Sequence, residues 1–84
     1  MFYYIYILKS EKTRKYYVGS TNNIARRLER HNRGKILSTK SETPWEMIYS
    51  EKFDTLSKAR KRELQIKNWK SRSAIERLMY GPIV

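Results

Sequence analysis

The sequence predicts an α+β fold in which a small three-stranded antiparallel sheet is flanked by helices, in the order β-β-α-β-α-α. Residues 2–8 are aromatic or β-branched almost throughout, which is typical of a strand buried on both faces. Two further apolar segments, residues 16–18 and 45–53, supply the other strands, and helix-capping residues precede the longer polar segments. Because 84 residues leave room for one hydrophobic core, we expect a single domain over residues 1–84.

The first two strands are predicted to form a hairpin. The polar residues 9–15 fit the connecting loop, and Tyr16–Val18 fits a short antiparallel return strand that Gly19 ends. A first helix is expected from Ile24 to about Arg33, since N-capping residues precede it and Gly34 follows it.

The second half of the chain predicts a strand and two helices. The strand follows Pro44 and runs from Trp45 through Phe53, with Trp45, Met47 and Tyr49 on one face. The elements after it are a longer helix over residues 56–69, capped by Asp54 or Thr55, and a short helix to Met79, started by Ser71 or Ser73 and closed by Gly81-Pro82.

The composition indicates a polyanion as partner. Lys and Arg number 19 against 8 Asp and Glu, which gives a net charge of +11, and such a balance on a small domain favours nucleic acid. The absence of cysteine excludes disulfides, cysteine-based zinc sites, iron–sulfur sites and a thiol nucleophile. The longest apolar run, residues 1–8, is too short to span a membrane, so we expect a cytoplasmic protein with no membrane association.

Two polar residues interrupt or edge the apolar stripe of the first predicted helix. Ile24 and Leu28 define that stripe, His31 projects between them, and Arg27 lies on the flank. Arg27 has two interpretations, a side chain that packs its methylene groups at the helix edge or a fork that binds one phosphate. His31 is likewise either a structural histidine or a catalytic one.

A carboxylate faces the core on the second predicted helix. Leu56, Ala59 and Ile66 set the apolar arc, and Glu63 projects near its middle. A buried carboxylate is costly unless it is paired, hydrogen-bonded or bound to a metal. Glu63 is therefore either half of a structural ion pair or a ligand for Mg²⁺, which accepts one or two protein carboxylates.

The tyrosine content supplies further candidates. Among seven tyrosines, Tyr6 and Tyr17 could meet on neighbouring strands, and Gly19 would permit close approach of the backbone to a ligand.

The ordered set of these residues resembles the GIY-YIG nuclease superfamily. The resemblance covers about Tyr3 to Trp69 and is greatest to small stand-alone bacterial members that consist of the catalytic module alone. The first motif departs from Gly-Ile-Tyr and the second has Val for Ile, but both keep their aromatic character. The matching positions are Tyr4-Ile5-Tyr6, Tyr17-Val18-Gly19, Arg27, His31, Pro44-Trp45 and Glu63.

The resemblance implies metal-dependent hydrolysis of phosphodiester bonds. By match to the family motifs, Tyr17 is the general base or proton relay, and Tyr6 orients the attacking water or the scissile phosphate. Arg27 stabilises charge on the phosphoryl group, and His31 assists proton transfer. Glu63 holds a single divalent metal ion, Mg²⁺ with Mn²⁺ as a substitute. Cations around the site are expected to lower the pKa of a tyrosine towards use as a base.

The expected partner is nucleic acid, DNA rather than RNA, with a preference for structured or damaged DNA. One alternative is a non-catalytic basic module that binds nucleic acid, and another is a nuclease subunit that needs a protein partner for targeting. The oligomeric state stays open. The residues expected to contact nucleic acid are Lys15, Gly19, Arg26, Arg30 and Lys40, together with the basic run Lys58, Arg60, Lys61 and Arg62.

Overall fold

The central strand of the sheet is the first one in sequence. In the computed structural model, which describes residues 1–81, β1 (Tyr3–Ser10) pairs antiparallel with β2 (Tyr16–Thr21) on one side and β3 (Trp45–Phe53) on the other. The remaining elements are α1 (Ile24–Asn32), a 3₁₀ turn (Lys40–Glu42), α2 (Leu56–Trp69) and α3 (Arg72–Tyr80). The predicted α+β fold and its element order are confirmed, while the predicted stop at Pro82 lies outside the described residues.

Strand β1 is buried on both faces, as its composition predicts. Ile5 and Ile7 pack on the face that α2 covers, against Ala59 and Ile66 of that helix. On the opposite face, α1 contributes to the packing through Leu28. The side chains around it there are Tyr6, Leu8, Tyr17, Trp45 and Met47. Because β2 is an edge strand, groups from α1 and from α2 can meet along it, and this edge is where the candidate site forms.

Strand β3 contains an irregularity that reverses one predicted orientation. Ile7 pairs with Tyr49, whereas the next residue of β1 pairs with Met47, so Ile48 is an extra residue in β3. A bulge of this kind changes which face the following side chains occupy. Trp45 and Met47 therefore share a face, but Tyr49 packs against the cluster on the other side. The prediction that all three share one face is wrong for Tyr49.

The helices begin at the predicted capping residues. The side chains of Asn23, Thr55 and Ser71 each accept a hydrogen bond from a backbone N–H in the first turn of α1, α2 and α3. Gly34, just beyond α1, has a φ of 72°, which favours glycine. Leu56, predicted to lie in the apolar arc of α2, is instead 38% exposed. No helix within residues 1–81 combines the length and apolar character required to cross a bilayer.

Candidate active site

An open cleft of about 430 Å³ runs along the edge of the sheet at β2, between α1 and α2. It brings together four of the five predicted catalytic residues, and the fifth, His31, lies buried behind it. The roles of these residues stay predictions, but their convergence is a feature of the fold. The residues that line the cleft are Tyr6, Tyr17, Gly19, Ser20, Arg27, Arg60, Glu63, Leu64 and Lys67.

Gly19 is explained by the ring of Tyr6. The two residues are direct partners in the β1–β2 pairing. A Cβ atom on Gly19 would lie 2.5 Å from the Tyr6 hydroxyl oxygen, which is far inside van der Waals contact. The missing side chain therefore makes room for the Tyr6 phenol. This reason differs from the predicted one, close approach of the backbone to a ligand, although Gly19 does line the cleft.

A chain of hydrogen bonds fixes Tyr6 from behind. The Tyr6 hydroxyl lies 2.9 Å from Nε2 of His31, and Nδ1 of His31 lies 2.7 Å from Oγ1 of Thr39. The Thr39 hydroxyl donates to the Ile36 carbonyl, and the Trp45 indole N–H donates to the Thr39 carbonyl. We assign the Thr39 hydrogen to the Ile36 carbonyl, and with this assignment Thr39 accepts from Nδ1–H of His31. Nε2 then accepts the hydroxyl hydrogen of Tyr6.

Tyr17 packs between this network and the cleft. Its ring centroid lies 6.4 Å from that of Tyr6, 5.0 Å from that of His31 and 6.2 Å from that of Trp45. The rings of His31 and Trp45 meet it edge to face, an arrangement that aromatic quadrupoles favour. The predicted meeting of Tyr6 and Tyr17 on neighbouring strands is thus present in the structure.

Burial controls the protonation of both Tyr6 and His31. It raises the pKa of Tyr6, with a further increase from Tyr17, and outweighs the lowering by Arg27. Burial, together with the nearby Arg27 cation, lowers the pKa of His31 to about 4. Near neutral pH Tyr6 is therefore a neutral phenol and His31 a neutral imidazole. At Tyr6, desolvation has a larger effect on the pKa than the nearby Arg27 cation.

The shifted histidine predicts a specific dependence of stability on pH. His31 takes up a proton near pH 6.5 when unfolded but only near pH 4 when folded, so its stabilising contribution is complete above about pH 6.5 and is lost as pH falls towards 4. We expect the free energy of unfolding to fall by about 2–3 kcal/mol between pH 7 and pH 4.5. Urea denaturation at the two pH values measures it. His31→Gln should remove most of this slope, and an unchanged slope would contradict the assignment to His31.

Glu63 uses both carboxylate oxygens in the structure. Oε1 accepts a hydrogen bond of 2.6 Å from the Ser20 hydroxyl, and Oε2 lies 2.6 Å from Nζ of Lys67. The Glu63 side chain is 19% exposed, at the cleft surface. The structural ion pair and the metal-ligand interpretation therefore concern the same carboxylate.

The donor set fits a metal site with one protein ligand. Across residues 1–81 no three His, Cys, Asp or Glu side chains are grouped to hold an ion. Mg²⁺ commonly keeps several waters and binds through one or two carboxylates plus phosphate oxygens of the substrate. A single carboxylate that the Ser20 hydroxyl orients, in a cleft open to solvent, is compatible with that requirement.

A basic groove continues from the cleft along α1. It has a volume of about 460 Å³ and shares Ser20, Arg27 and Arg60 with the cleft. Arg26 and Arg30, both predicted to contact nucleic acid, line its further part. The cleft therefore opens into a surface on which four arginines face one groove.

Other predicted contacts lie elsewhere. Nζ of Lys15 lies 3.5 Å from Oε1 of Glu42, and Lys15 lines a separate groove on the other side of Tyr17. Lys40 is in the 3₁₀ turn. Neither lines the cleft or the basic groove. The basic run on α2 is also divided. Arg60 lines the cleft, and Lys61 lines a neighbouring groove but not the cleft. Lys58 pairs with Asp54, and Arg62 pairs with Glu51.

Two polar residues of the cleft are absent from the sequence-based predictions. Lys67 lies four residues after Glu63, a spacing that places two helical side chains in contact, so this partner was available from the sequence. Ser20 follows the second tyrosine motif directly, but its bond to Glu63 depends on the packing of α2 against β2, which no local pattern contains.

Comparisons with known proteins find matches over nearly the whole chain. The family profile described as "GIY-YIG catalytic domain" matches residues 2–76. A UPF0213 protein of Syntrophus aciditrophicus (strain SB) is 40% identical over 82 residues, which cover 94% of this chain and 92% of that protein. The solution NMR structure of the UPF0213 protein BH0048 from Bacillus halodurans matches with a TM-score of 0.59 and 29% identity, over 93% of this chain and 82% of that one.

A partial match extends to a larger protein. The structure-specific endonuclease subunit SLX1 of Phaeosphaeria nodorum (strain SN15) is 45% identical over 51 residues. The aligned segment covers 55% of this chain and 14% of that protein, so the likeness is confined to a small part of the larger chain.

Proposed function

Because the chain belongs to the GIY-YIG nuclease family, we propose that it is a metal-dependent endonuclease that hydrolyses phosphodiester bonds in DNA. The observation that carries the proposal is the composition of the cleft. Two tyrosines, two arginines and a carboxylate meet there, and the cleft continues into a groove lined by arginines. Phosphoryl transfer depends mainly on positioning and charge neutralisation, which such a set can provide.

The basic groove supports binding of the DNA backbone. Arg26, Arg30 and Arg60 would neutralise successive phosphates and lead the strand to Arg27 at the cleft. These contacts attract phosphate without reading bases, so they favour recognition of DNA shape over sequence. The partial likeness to a structure-specific endonuclease subunit supports a preference for structured DNA.

Tyr6, His31 and Tyr17 would handle the attacking water. The hydroxyl hydrogen of Tyr6 is directed at His31, so the lone pairs of its oxygen are left to accept a hydrogen bond from water in the cleft. Tyr17, beside it, is assigned as the general base or relay. His31 would serve behind Tyr6 as the acceptor for a relayed proton, and it fixes the orientation of the phenol.

Glu63 would hold the divalent metal ion, Mg²⁺ or in its place Mn²⁺. Bound there, the ion would neutralise negative charge on the scissile phosphate. Ser20 keeps the carboxylate oriented through Oε1. Arg27 supplies a second, fixed positive charge from the α1 side of the cleft.

A nicking assay tests the proposal. Purified protein is incubated with supercoiled plasmid, a labelled branched duplex and a labelled RNA hairpin, each with Mg²⁺, Mn²⁺ or EDTA. Tyr17→Phe, purified in the same way, controls for contaminating nucleases. We expect cleavage of DNA that requires metal and is at least about 100-fold slower in the variant. DNA binding without cleavage in every condition would favour the non-catalytic module. Cleavage only after addition of a partner protein would favour the subunit alternative.

A further inference from the structure

Lys67 pairs with the carboxylate to which the proposed function assigns the metal ion. Its ammonium nitrogen lies 2.6 Å from Oε2 of Glu63, while Oε1 is already bonded to Ser20. A divalent ion binds this carboxylate less tightly while the ammonium stays there, because the two cations repel each other and compete for the charge of one carboxylate.

The same contact neutralises the cleft in the free protein. Without Lys67, the Glu63 carboxylate would present a negative charge to an incoming phosphate. With Lys67 the pair is neutral, so Arg27 and Arg60 determine the local charge, which is positive. The pair therefore prepares the cleft for an anion before a metal ion arrives.

The Lys67 side chain is also able to move away from Glu63. Its side chain is 48% exposed, and it lines a second groove on the far side of Tyr17 as well as the cleft. An exposed lysine pair is weak compared with a metal–carboxylate contact, and the long flexible stem can turn without disturbing the helix.

We infer that Lys67 is a positioning residue that takes the place of the metal ion at Glu63 in the free protein, so that DNA binding does not require metal and metal binding must displace the ammonium. This inference rests on the proposed function. Displacement raises the positive charge at the cleft, because the ion replaces Lys67 on Glu63 and the freed ammonium remains available to a phosphate oxygen. The full cationic site then forms only when a metal ion is present.

Two affinities measured without catalysis test the inference. The first is binding of Mn²⁺ to the DNA-free protein by isothermal titration calorimetry, and the second is binding of a labelled branched duplex in EDTA by fluorescence anisotropy. For Lys67→Met we expect Mn²⁺ to bind at least about three times more tightly and DNA in EDTA to bind at least about three times more weakly. Lys67→Arg should keep DNA binding in EDTA near the wild-type value.

Matched controls separate a local effect from the loss of one charge. Lys61→Met removes a lysine of the same helix that does not line the cleft, and this variant should leave the Mn²⁺ affinity unchanged. Glu63→Gln should abolish Mn²⁺ binding, and the double variant Glu63→Gln/Lys67→Met should bind DNA in EDTA more tightly than Lys67→Met alone.

Three results would overturn the inference: no gain in Mn²⁺ affinity in Lys67→Met, the same effects in Lys61→Met, or no rescue in the double variant. Each would leave the ion pair as a helix-stabilising contact only. Failure of the proposed function gives a different result, namely absence of cleavage with these affinities still behaving as expected.

Discussion

Replacement of Arg27 by alanine is expected to lower the rate of DNA cleavage by about 1,000-fold or more. An arginine that stabilises the charge of the transition state in phosphoryl transfer raises kcat by a factor of about 10³–10⁵. Arg27 is half-buried at the junction of the cleft and the basic groove, close enough to Tyr6 and His31 to affect the pKa of both. Its positive charge therefore lies near the side chains of Tyr6 and His31. Single-turnover cleavage at saturating protein, with Mg²⁺, measures this rate separately from binding.

Arg30→Ala is the matched control for Arg27→Ala. Arg30 lies on the same helix and lines the basic groove but not the cleft. Both variants should weaken DNA binding modestly. Each should also reduce the slope of log affinity against log salt concentration by about 1, as expected for the loss of one phosphate contact. Only Arg27→Ala should slow the single-turnover rate. Equal rates in the two variants would show that Arg27 serves in binding alone.

Replacement of Glu63 by glutamine is expected to reduce cleavage by about 1,000-fold, because the change removes the carboxylate assigned to the metal ion, and such an ion is worth several kcal/mol of transition-state stabilisation. The amide is similar in size and can still accept a hydrogen bond from Ser20. DNA binding in EDTA should be retained, since a negative charge is lost from a surface that binds phosphate. Cleavage with Mg²⁺ and binding in EDTA are measured on the same preparation.

Glu29→Gln tests whether the effect belongs to the site. Glu29 is also a helical carboxylate with a basic partner four residues later, Arg33, at 2.7 Å, but both side chains are exposed, and neither lines the cleft. Cleavage by this variant should stay within about twofold of wild type. A cleavage rate of Glu63→Gln equal to that of the wild type would show that Glu63 has no role in the reaction.

The fold was predictable because its signals are local. The aromatic composition of β1, the capping side chains of Asn23, Thr55 and Ser71, and the glycine after α1 each act within a few residues of their position. The side of the sheet on which Tyr49 packs was not predictable by alternation. It depends on an extra residue in β3, whose position is set by pairing with β1.

The candidate site was predictable in its members but not in its network. The tyrosine motifs, Arg27 and Glu63 stand out as aromatic or charged residues at strand and helix positions that face the interior. The full burial of His31 depends on the loop that contains Thr39. The Thr39 hydroxyl is hydrogen-bonded to Nδ1 of His31, and the Thr39 carbonyl accepts a hydrogen bond from the Trp45 indole N–H. These contacts join segments with no shared periodicity, so a sequence pattern does not contain them.

Because the Tyr6 ring packs over Gly19, a substitution at either position constrains which residues the other position can accept. Any side chain at position 19 would require either a smaller residue than tyrosine at position 6 or a shift of β1 against β2. In a related chain, a larger residue at the position of Gly19 would therefore indicate that the phenol has been displaced, even if the tyrosine itself is still present. The glycine thus offers a simple criterion for separating relatives that have kept the packing of this candidate site from relatives that keep only the fold.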